Sequence, residues 1–372
     1  MNKRVCHIST AHAENDGRIL FKQCSSISKA GYDVSFIVTS DKEKVINGVK
    51  IIPLSGNNNR IYRMFYKTKE AYKKALDIDA DIYHFHDPEL IPLGRKLKRI
   101  GKKVIYDVHE DMPKQILSKK YLGGIRIRKL ISKAFDKYEK NNSKIFDSIV
   151  TTLDEFKEKF INHHNNIIVV KNFAMKDIID QTVPIIINES KDKFIVIYIG
   201  SITKIRGVRE MIKATEEFNG KVELWLIGSF ETEELFEECK SLDGYKYTKY
   251  IGKLPISELY KYIKAADIGL SILHPTPNYK EAIPTKVFEY MGCSLPVILS
   301  DFPFWRELFG DVGKYVNPLD INEIIDAIEY YRTNKDIMIS KGLENREVFE
   351  TKFCWETEET KLINLYKSMF EE

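Results

Sequence analysis

Two α/β domains joined by a linker, each a parallel sheet covered by helices on both faces, are what this sequence predicts. Short apolar strands alternate with amphipathic helices along the chain, the alternation breaks near residue 175, and 372 residues exceed what one core usually spans. With 43% hydrophobic and 30% charged residues, the composition is that of a soluble globular protein. No apolar run approaches the roughly 20 residues that cross a bilayer, so the expected location is the cytoplasm. Cys6, Cys24, Cys239, Cys293 and Cys354 are scattered without metal-ligand spacing, which argues for reduced, buried thiols and against a disulfide-stapled fold.

The first domain is expected over residues 1–174. Val5–Ser9 reads as a buried strand, followed by the loop Thr10–Arg18, a helix near Ile19–Ala30 closed by Gly31, and a strand at Tyr32–Val38. Lys50–Pro53 is a short strand, 60–77 is basic, aromatic and helix-compatible, and Asp81–His86 is again a strand. Helix Glu89–Ile100, strand Lys103–Asp107, a basic helix at Ser118–Asn141 and strands at Ser148–Thr152 and Ile167–Val170 complete it. Ligands of such sheets bind beyond the carboxyl ends of the strands. Asp16, Arg18, His86, Asp87, His109 and Glu110 all fall there and are expected to line one cleft.

Residues 175–193 lack periodicity and are read as the linker. The second domain, 194–354, opens with the buried strand Phe194–Ile199 ending at Gly200. It continues with helix Val208–Phe218, strand Val222–Ile227, helix Thr232–Lys240, strand Tyr247–Ile251, helix Ser257–Ala265 and strand Ile268–Leu273. Pro284 suits the first position of a further helix, because its missing N–H has no intrahelical partner there and its φ is already helical. On that helix Val287, Phe288 and Met291 form a packing face while Thr285 and Glu289 share another. The unpaired N–H groups of Thr285 and Lys286 favour an anion. Strand Val297–Leu299 and helix Ile321–Tyr331 follow, and residues 355–372 form a helix expected to cross back to the first domain.

The loop Gly200-Ser201-Ile202-Thr203-Lys204-Ile205-Arg206-Gly207 joins a buried strand to a helix. Its glycines allow tight turns, and Lys204 and Arg206 bring positive charge to a helix start, a plausible diphosphate cradle. It is neither a P-loop nor the dinucleotide fingerprint. A surface turn with two solvated cations is the competing reading.

The combination carries more than its parts. The strand–Gly–x5–Arg–Gly loop, strands ending in Gly228 and in Gly252-Lys253-Leu254, and Glu281-x7-Glu289 running into Tyr-Met-Gly-Cys-Ser-Leu-Pro-Val-Ile together resemble glycosyltransferase family 4. In the first half, His-Phe-His-Asp (84–87) and Tyr-Asp-Val-His-Glu (106–110) extend the resemblance over nearly the whole chain. It implies the GT-B fold, two Rossmann-like domains facing each other across a central cleft, and transfer of a sugar from a nucleotide-sugar with retention at the anomeric carbon. It also implies roles: Glu289 on the ribose hydroxyls, Glu281 on the donor sugar, and the backbone of Ile283, Pro284 and Thr285 near sugar and phosphates. Arg206 stands where the family has a phosphate-binding lysine, Gly252, Lys253 and Leu254 present backbone to the base, and His109 faces the donor sugar. Gly200, Ser201, Lys204 and Lys286 complete the expected donor set, with His109, Arg206 and Glu281 as catalytic candidates. Ser201 replaces the family's usual arginine, and Ala282-Ile283-Pro284 replaces Pro-Phe-Gly.

The resemblance implies no metal and no further cofactor. The expected partners are a nucleotide-sugar, most readily a UDP-sugar, and a glycan or lipid-linked acceptor in surface polysaccharide or glycolipid synthesis, with Asp16, Arg18, His86 and Glu110 on the acceptor side. A sugar-nucleotide-binding partner without turnover, or another enzyme of the fold such as an epimerase, would use the same donor contacts. Asp16 and Arg18 can also simply cap the following helix, His84 reads as packing, and His163-His164 as a solvated pair. Finally, residues 91–140 hold 15 Lys/Arg against 5 Asp/Glu. This basic stretch admits a solvated face, a nucleic-acid surface or an anionic membrane surface; no nucleic-acid module is recognisable, which favours the membrane over nucleic acid.

Overall fold

The computed structural model describes residues 3–56, 62–186, 193–280 and 282–371. The chain divides into two compact units, Met1–Asn172 with Glu358–Glu372, and Phe173–Thr357.

The first unit is built on β1 (Arg4–Ala13), β2 (Asp33–Thr39), β3 (Lys44–Ile46), β4 (Val49–Leu54), β5 (Ile82–Phe85), β6 (Lys103–Val108), β7 (Ser148–Thr151) and β8 (Ile167–Val169). They form one sheet in the order β3-β4-β2-β1-β5-β6-β7-β8. All neighbours are parallel except β3 and β4, an antiparallel hairpin. Its turn is Asn47-Gly48, both at positive φ (51° and 78°), as a two-residue hairpin whose twist matches its strands requires. β1 runs past its expected end at Ser9, with its register slipping between Ile8 and Ala13. The expected helix Ser118–Asn141 is instead a helix at Met112–Ser118 and another at Ile125–Ser143, because Gly123, at φ 106°, interrupts the run. Helix Trp355–Glu371 supplies its residues from Glu358 onward to this unit, burying Leu362, Leu365, Tyr366 and Met369.

The second unit carries β9 (Phe194–Ile199), β10 (Val222–Ile227), β11 (Thr248–Gly252), β12 (Ile268–Ser271), β13 (Val297–Ser300) and β14 (Gly313–Val316), ordered β11-β10-β9-β12-β13-β14 and parallel throughout. Along β9, Ile195, Ile197 and Ile199 join one apolar cluster while Phe194, Val196 and Tyr198 join the other. That strand is continuously hydrophobic because both faces of a parallel sheet are covered. Much of the expected linker folds into this unit: Lys176–Gln181 is a helix with Ile179 buried, and Ala174 pairs with Cys354. Among the described residues no helix is long and apolar enough to cross a membrane.

Candidate functional site

In the second unit the glycines dictate the turn after β9. Gly200 takes φ 110°, and the end of β10 approaches so closely that a Cβ on Gly228 would lie 1.8 Å from the Gly200 carbonyl oxygen. The chain passes through the single turn Lys204–Arg206 and Gly207 (φ 72°) into helix Val208–Glu216. Arg206 is held over this turn: its Nε donates to the Tyr279 hydroxyl at 3.2 Å and a terminal nitrogen donates to the Ser201 carbonyl at 3.4 Å. The same carbonyl accepts from the Tyr198 hydroxyl at 2.8 Å. Ser201 and Lys204 are exposed.

Lys286 turns inward. It is 9% exposed, its Nζ sits 3.6 Å from the centroid of the Tyr198 ring, and that ammonium has no hydrogen-bond partner among the described residues. Burial, and then the charge of Arg206, hold its pKa well below that of a free lysine, with Glu289 opposing. The point that a Gly200 Cβ would occupy lies 3.8 Å from both Lys286 Nζ and a terminal nitrogen of Arg206. Two cations therefore converge on one glycine turn, an arrangement suited to a bound anion.

The helix carrying Lys286 spans Thr285–Gly292. Pro284 is not its first residue, as expected, but the extended residue before it (φ −78°, ψ 92°); the ring still fixes φ, but ψ is that of a cap. Val287, Phe288 and Met291 are buried, Thr285 is exposed and Glu289 half-buried. Ile283 and Leu254 pack against the core, Lys253 is exposed, and the Gly252 carbonyl accepts from the Gly228 N–H at 2.9 Å. Glu281 lies outside the described residues.

In the first unit the two-residue period of strands gathers the histidines. His7 on β1 pairs in register with His84 on β5, and His84 with Ile105 on β6. His86, Asp107 and His109 continue the same face. His7 Nδ1 lies 2.9 Å from His86 Nε2, His86 Nδ1 3.2 Å from His109 Nε2, and His109 Nε2 3.0 Å from Asp107 Oδ2. The Tyr366 hydroxyl bridges His84 Nδ1 (2.7 Å) and His7 Nε2 (3.0 Å). Burial works against charge on Asp107, but Arg18 and His109 hold its carboxyl well below the usual carboxylate range. Burial, reinforced by their mutual proximity, pushes His7 and His86 well below an ordinary histidine, and burial lowers His84 as well.

Arg18 is turned away from the expected acceptor side, whereas His86 lines a cavity of the first unit. Arg18 is buried, donating to the Val170 carbonyl at 2.8 Å and lying 3.4 Å from Asp107, because a buried carboxylate needs a cation. His86 is 2% exposed and touches other histidines. Asp16 caps: its Oδ1 accepts from the N–H of Arg18 (2.9 Å) and Ile19 (2.8 Å), while Oδ2 holds His12 at 3.1 Å. Burial alone would lower the His12 pKa; the hydrogen bond to Asp16 and the charge of Asp87 raise it. His164 is not a solvated side chain, since its ring bonds the Phe146 carbonyl and the Asn166 N–H.

A cavity of about 760 Å³ opens over this network. His12, Asp87, Glu89, His109, Glu110 and Lys119 give it polar walls, and Met64, Phe65, Tyr121, Phe135 and Tyr138 give it apolar ones. Asp87 and Glu89 shape it: Asp87 accepts from the N–H of Thr10 (2.6 Å) and Ala11 (3.1 Å), Glu89 from the Thr10 hydroxyl (3.0 Å). Glu110 accepts from Gln115. His84, His86 and Asp107 are close enough to chelate an ion. However, both nitrogens of His86 and one of His84 are already engaged and the Arg18 guanidinium adjoins the carboxylate, so these donors suit a hydrogen-bond network better than a metal.

Residues 193–334 match the family model described as Glycosyl transferases group 1. The chain is 22% identical over 304 residues to the alpha-galactosylglucosyldiacylglycerol synthase of Streptococcus pneumoniae, covering 77% of this chain and 78% of that protein. Its fold matches that of sucrose-phosphate synthase from Thermosynechococcus elongatus (TM-score 0.73, 17% identity, 100% of both chains). It also matches Anabaena HepE in complex with UDP-glucose (TM-score 0.66, 13% identity, 98% and 99% of the chains). The chain is a glycosyltransferase of the GT-B fold. The matched stretch of the transferase contains the Gly200 turn, Arg206, Gly252, Lys286 and Glu289. Sequence reasoning missed Tyr198 and Tyr279 beside the cations, and His7, His12, Tyr366 and Gln23, whose amide donates to Asp107 at 2.7 Å, in the first unit. For the histidines a signal existed: His84-x-His86 and Asp107-x-His109 each place two side chains on one face of adjacent strands.

Proposed function

We propose that this transferase is a retaining, metal-independent member of family 4 that moves a sugar from a UDP-sugar to a sugar-bearing lipid acceptor at an anionic membrane surface. The observation that carries the donor reading is Lys286, a buried ammonium without a hydrogen-bond partner converging with Arg206 on the Gly200 turn. A diphosphate brings negative charge to both cations and the hydrogen-bond acceptor that Lys286 lacks, and as leaving group it is stabilised by them without a metal. In the reaction the acceptor oxygen bonds to the anomeric carbon as the bond from that carbon to the phosphate oxygen breaks. The hydroxyl proton passes to the departing phosphate, on the face it leaves. Glu289 takes the ribose hydroxyls, Glu281 the sugar, and His109 contacts the reacting sugar. The Anabaena protein in complex with UDP-glucose supports uridine as the base.

The acceptor reading rests on the first-unit cavity, whose carboxylates and histidines suit hydroxyls and whose aromatic walls suit an apolar anchor. Beside it, helix Ile125–Ser143 exposes Ile125, Ile127 and Leu130 among the exposed Arg126, Lys129 and Lys133. Each such cation contributes about 1 kcal/mol at an anionic surface. The name of the Streptococcus relative supports a glycolipid.

The test is release of nucleoside diphosphate from a panel of UDP- and GDP-sugars, with and without glycolipid acceptor and with a chelator, followed by NMR of the product anomer. Release only with acceptor, insensitive to chelator and with the donor's anomeric configuration kept, is expected. Isomerised donor or binding without release overturns transfer, and an inverted product overturns retention. Glu289→Ala should weaken UDP binding by roughly 1–3 kcal/mol; unchanged affinity would sink the ribose assignment.

A further inference from the structure

The tail helix reaches His109 through a chain of hydrogen bonds. It runs from His84 Nδ1 to the Tyr366 hydroxyl (2.7 Å), to His7 Nε2 (3.0 Å), from His7 Nδ1 to His86 Nε2 (2.9 Å), and from His86 Nδ1 to His109 Nε2 (3.2 Å). Asp107 Oδ2 adjoins the chain, at 3.0 Å from His109 Nε2 and 3.3 Å from His86 Nδ1, while His84 Nε2, 3.6 Å away, has no hydrogen-bond partner among the described residues. Each link joins two heavy atoms that share one hydrogen, and each neutral imidazole has one N–H to give. The hydrogens can therefore run along the chain in two directions. In one, His109 Nε2 donates to His86 Nδ1, His86 to His7, His7 to Tyr366 and Tyr366 to His84. In the other every donor becomes an acceptor, and His109 Nε2 receives the hydrogen of His86.

The carboxylate decides between them. An ionised carboxylate only accepts, so His109 Nε2, 3.0 Å from Asp107, carries the hydrogen and the first direction holds. His109 lines the cavity, and its Nδ1 has no hydrogen-bond partner among the described residues. We propose that His109 works as the Nε2–H tautomer, presenting Nδ1 as an acceptor to the ligand, and that Tyr366 is a positioning residue holding this arrangement through His7 and His86. Tyr366 is the member of this hydrogen-bond chain that both donates and accepts by rotating one hydroxyl, and it is fully buried. Removing that hydroxyl leaves His7 Nε2 and His84 Nδ1 without the partner they share. His86 then loses the fixed acceptor on its far side that keeps it aligned with His109. The reaction part rests on the reading of His109 as the residue that meets the sugar; the tautomer does not.

The experiment has two arms. Long-range ¹H–¹⁵N spectra of the histidine-labelled full chain, without substrate, should show His109 protonated on Nε2 alone, with His109→Gln assigning the signal. A predominant Nδ1–H form overturns the tautomer. Tyr366→Phe should shift the His7 and His84 nitrogens, broaden or shift those of His109, and lower kcat about tenfold with KM within twofold. Nitrogen shifts confined to His7 and His84, with kcat unchanged in a variant of unaltered melting temperature, overturn the positioning role. If Tyr366→Phe fails to fold, His7→Gln breaks the adjoining link and takes its place, with the same readings. His109→Gln retaining full activity while the wild-type tautomer is as stated would instead sink the reading of His109 in the reaction.

Discussion

Lowering the pH from 6.5 to 5.5 should loosen the first unit and spare the second. His7, His84 and His86 are fully buried and their pKa values depressed, whereas unfolded they titrate near about 6.5. Below that value the unfolded chain binds protons that the folded chain refuses. Stability is therefore full above about pH 6.5 and falls with acid by up to about 1.4 kcal/mol per pH unit for each ring. Allowing for half-titration at the start, the two rings held well below the ordinary value, His7 and His86, amount to up to about 2 kcal/mol across this unit, with His84 acting in the same direction, against the roughly 5–15 kcal/mol that holds a domain together. Two neighbours do not alter the sign. The raised pKa of His12 contributes stability that is already complete below about 6.5, and the depressed pKa of Asp107 contributes stability lost only nearer the usual carboxylate range. The second unit's only histidine among the described residues is His274, half-buried and paired with Glu210 at 3.1 Å. Hydrogen exchange by mass spectrometry, corrected for the intrinsic pH dependence, makes the comparison within one molecule. Protection of β1 and β5 should fall about 30-fold, that of β9 and β10 less than threefold. Equal losses in both sheets, or none in β1 and β5, would refute the reasoning that these rings are held neutral.

Other expectations follow from single contacts. Burial and Arg206 lower the Lys286 pKa and a bound diphosphate would raise it, so the buffer-dependent enthalpy of UDP binding at alkaline pH, read by calorimetry, should be smaller in Lys286→Met than in the natural chain. Gly228→Ala places a Cβ 1.8 Å from the Gly200 carbonyl at φ 151°, and its urea midpoint should report a loss of more than about 2 kcal/mol. Leu130→Asp, on a residue 71% exposed, should reduce co-sedimentation with phosphatidylglycerol vesicles severalfold while changing stability by less than about 0.5 kcal/mol; unchanged sedimentation would count against that face.

Much of the architecture was legible because parallel sheets write themselves in sequence: a strand such as Phe194–Ile199 is apolar without interruption, and glycine marks its end. The hairpin at Asn47-Gly48 was legible too but overlooked, hidden by strands of only 3 and 6 residues. The tight turn at Gly200 was read from its glycines, whereas the inward course of Lys286 depends on Tyr198, whose distance along the chain no local pattern bridges. Arg18 was misjudged for the same reason. Its loop position suggests solvent, and only the fold brings Asp107 beneath it. The histidines sat at period two on separate strands, but joining them required the strand order, and Tyr366 required knowing where the tail docks.

That docking inverts the usual order of manufacture. On the ribosome the residues of the second unit are complete by Thr357, while the first unit still waits for Glu358 onward. A unit translated early therefore closes last, and the hydroxyl between His84 and His7 is among its final pieces to arrive. Those two imidazoles thus share a partner encoded after the whole of the second unit, whereas every cavity-lining residue precedes it in the chain.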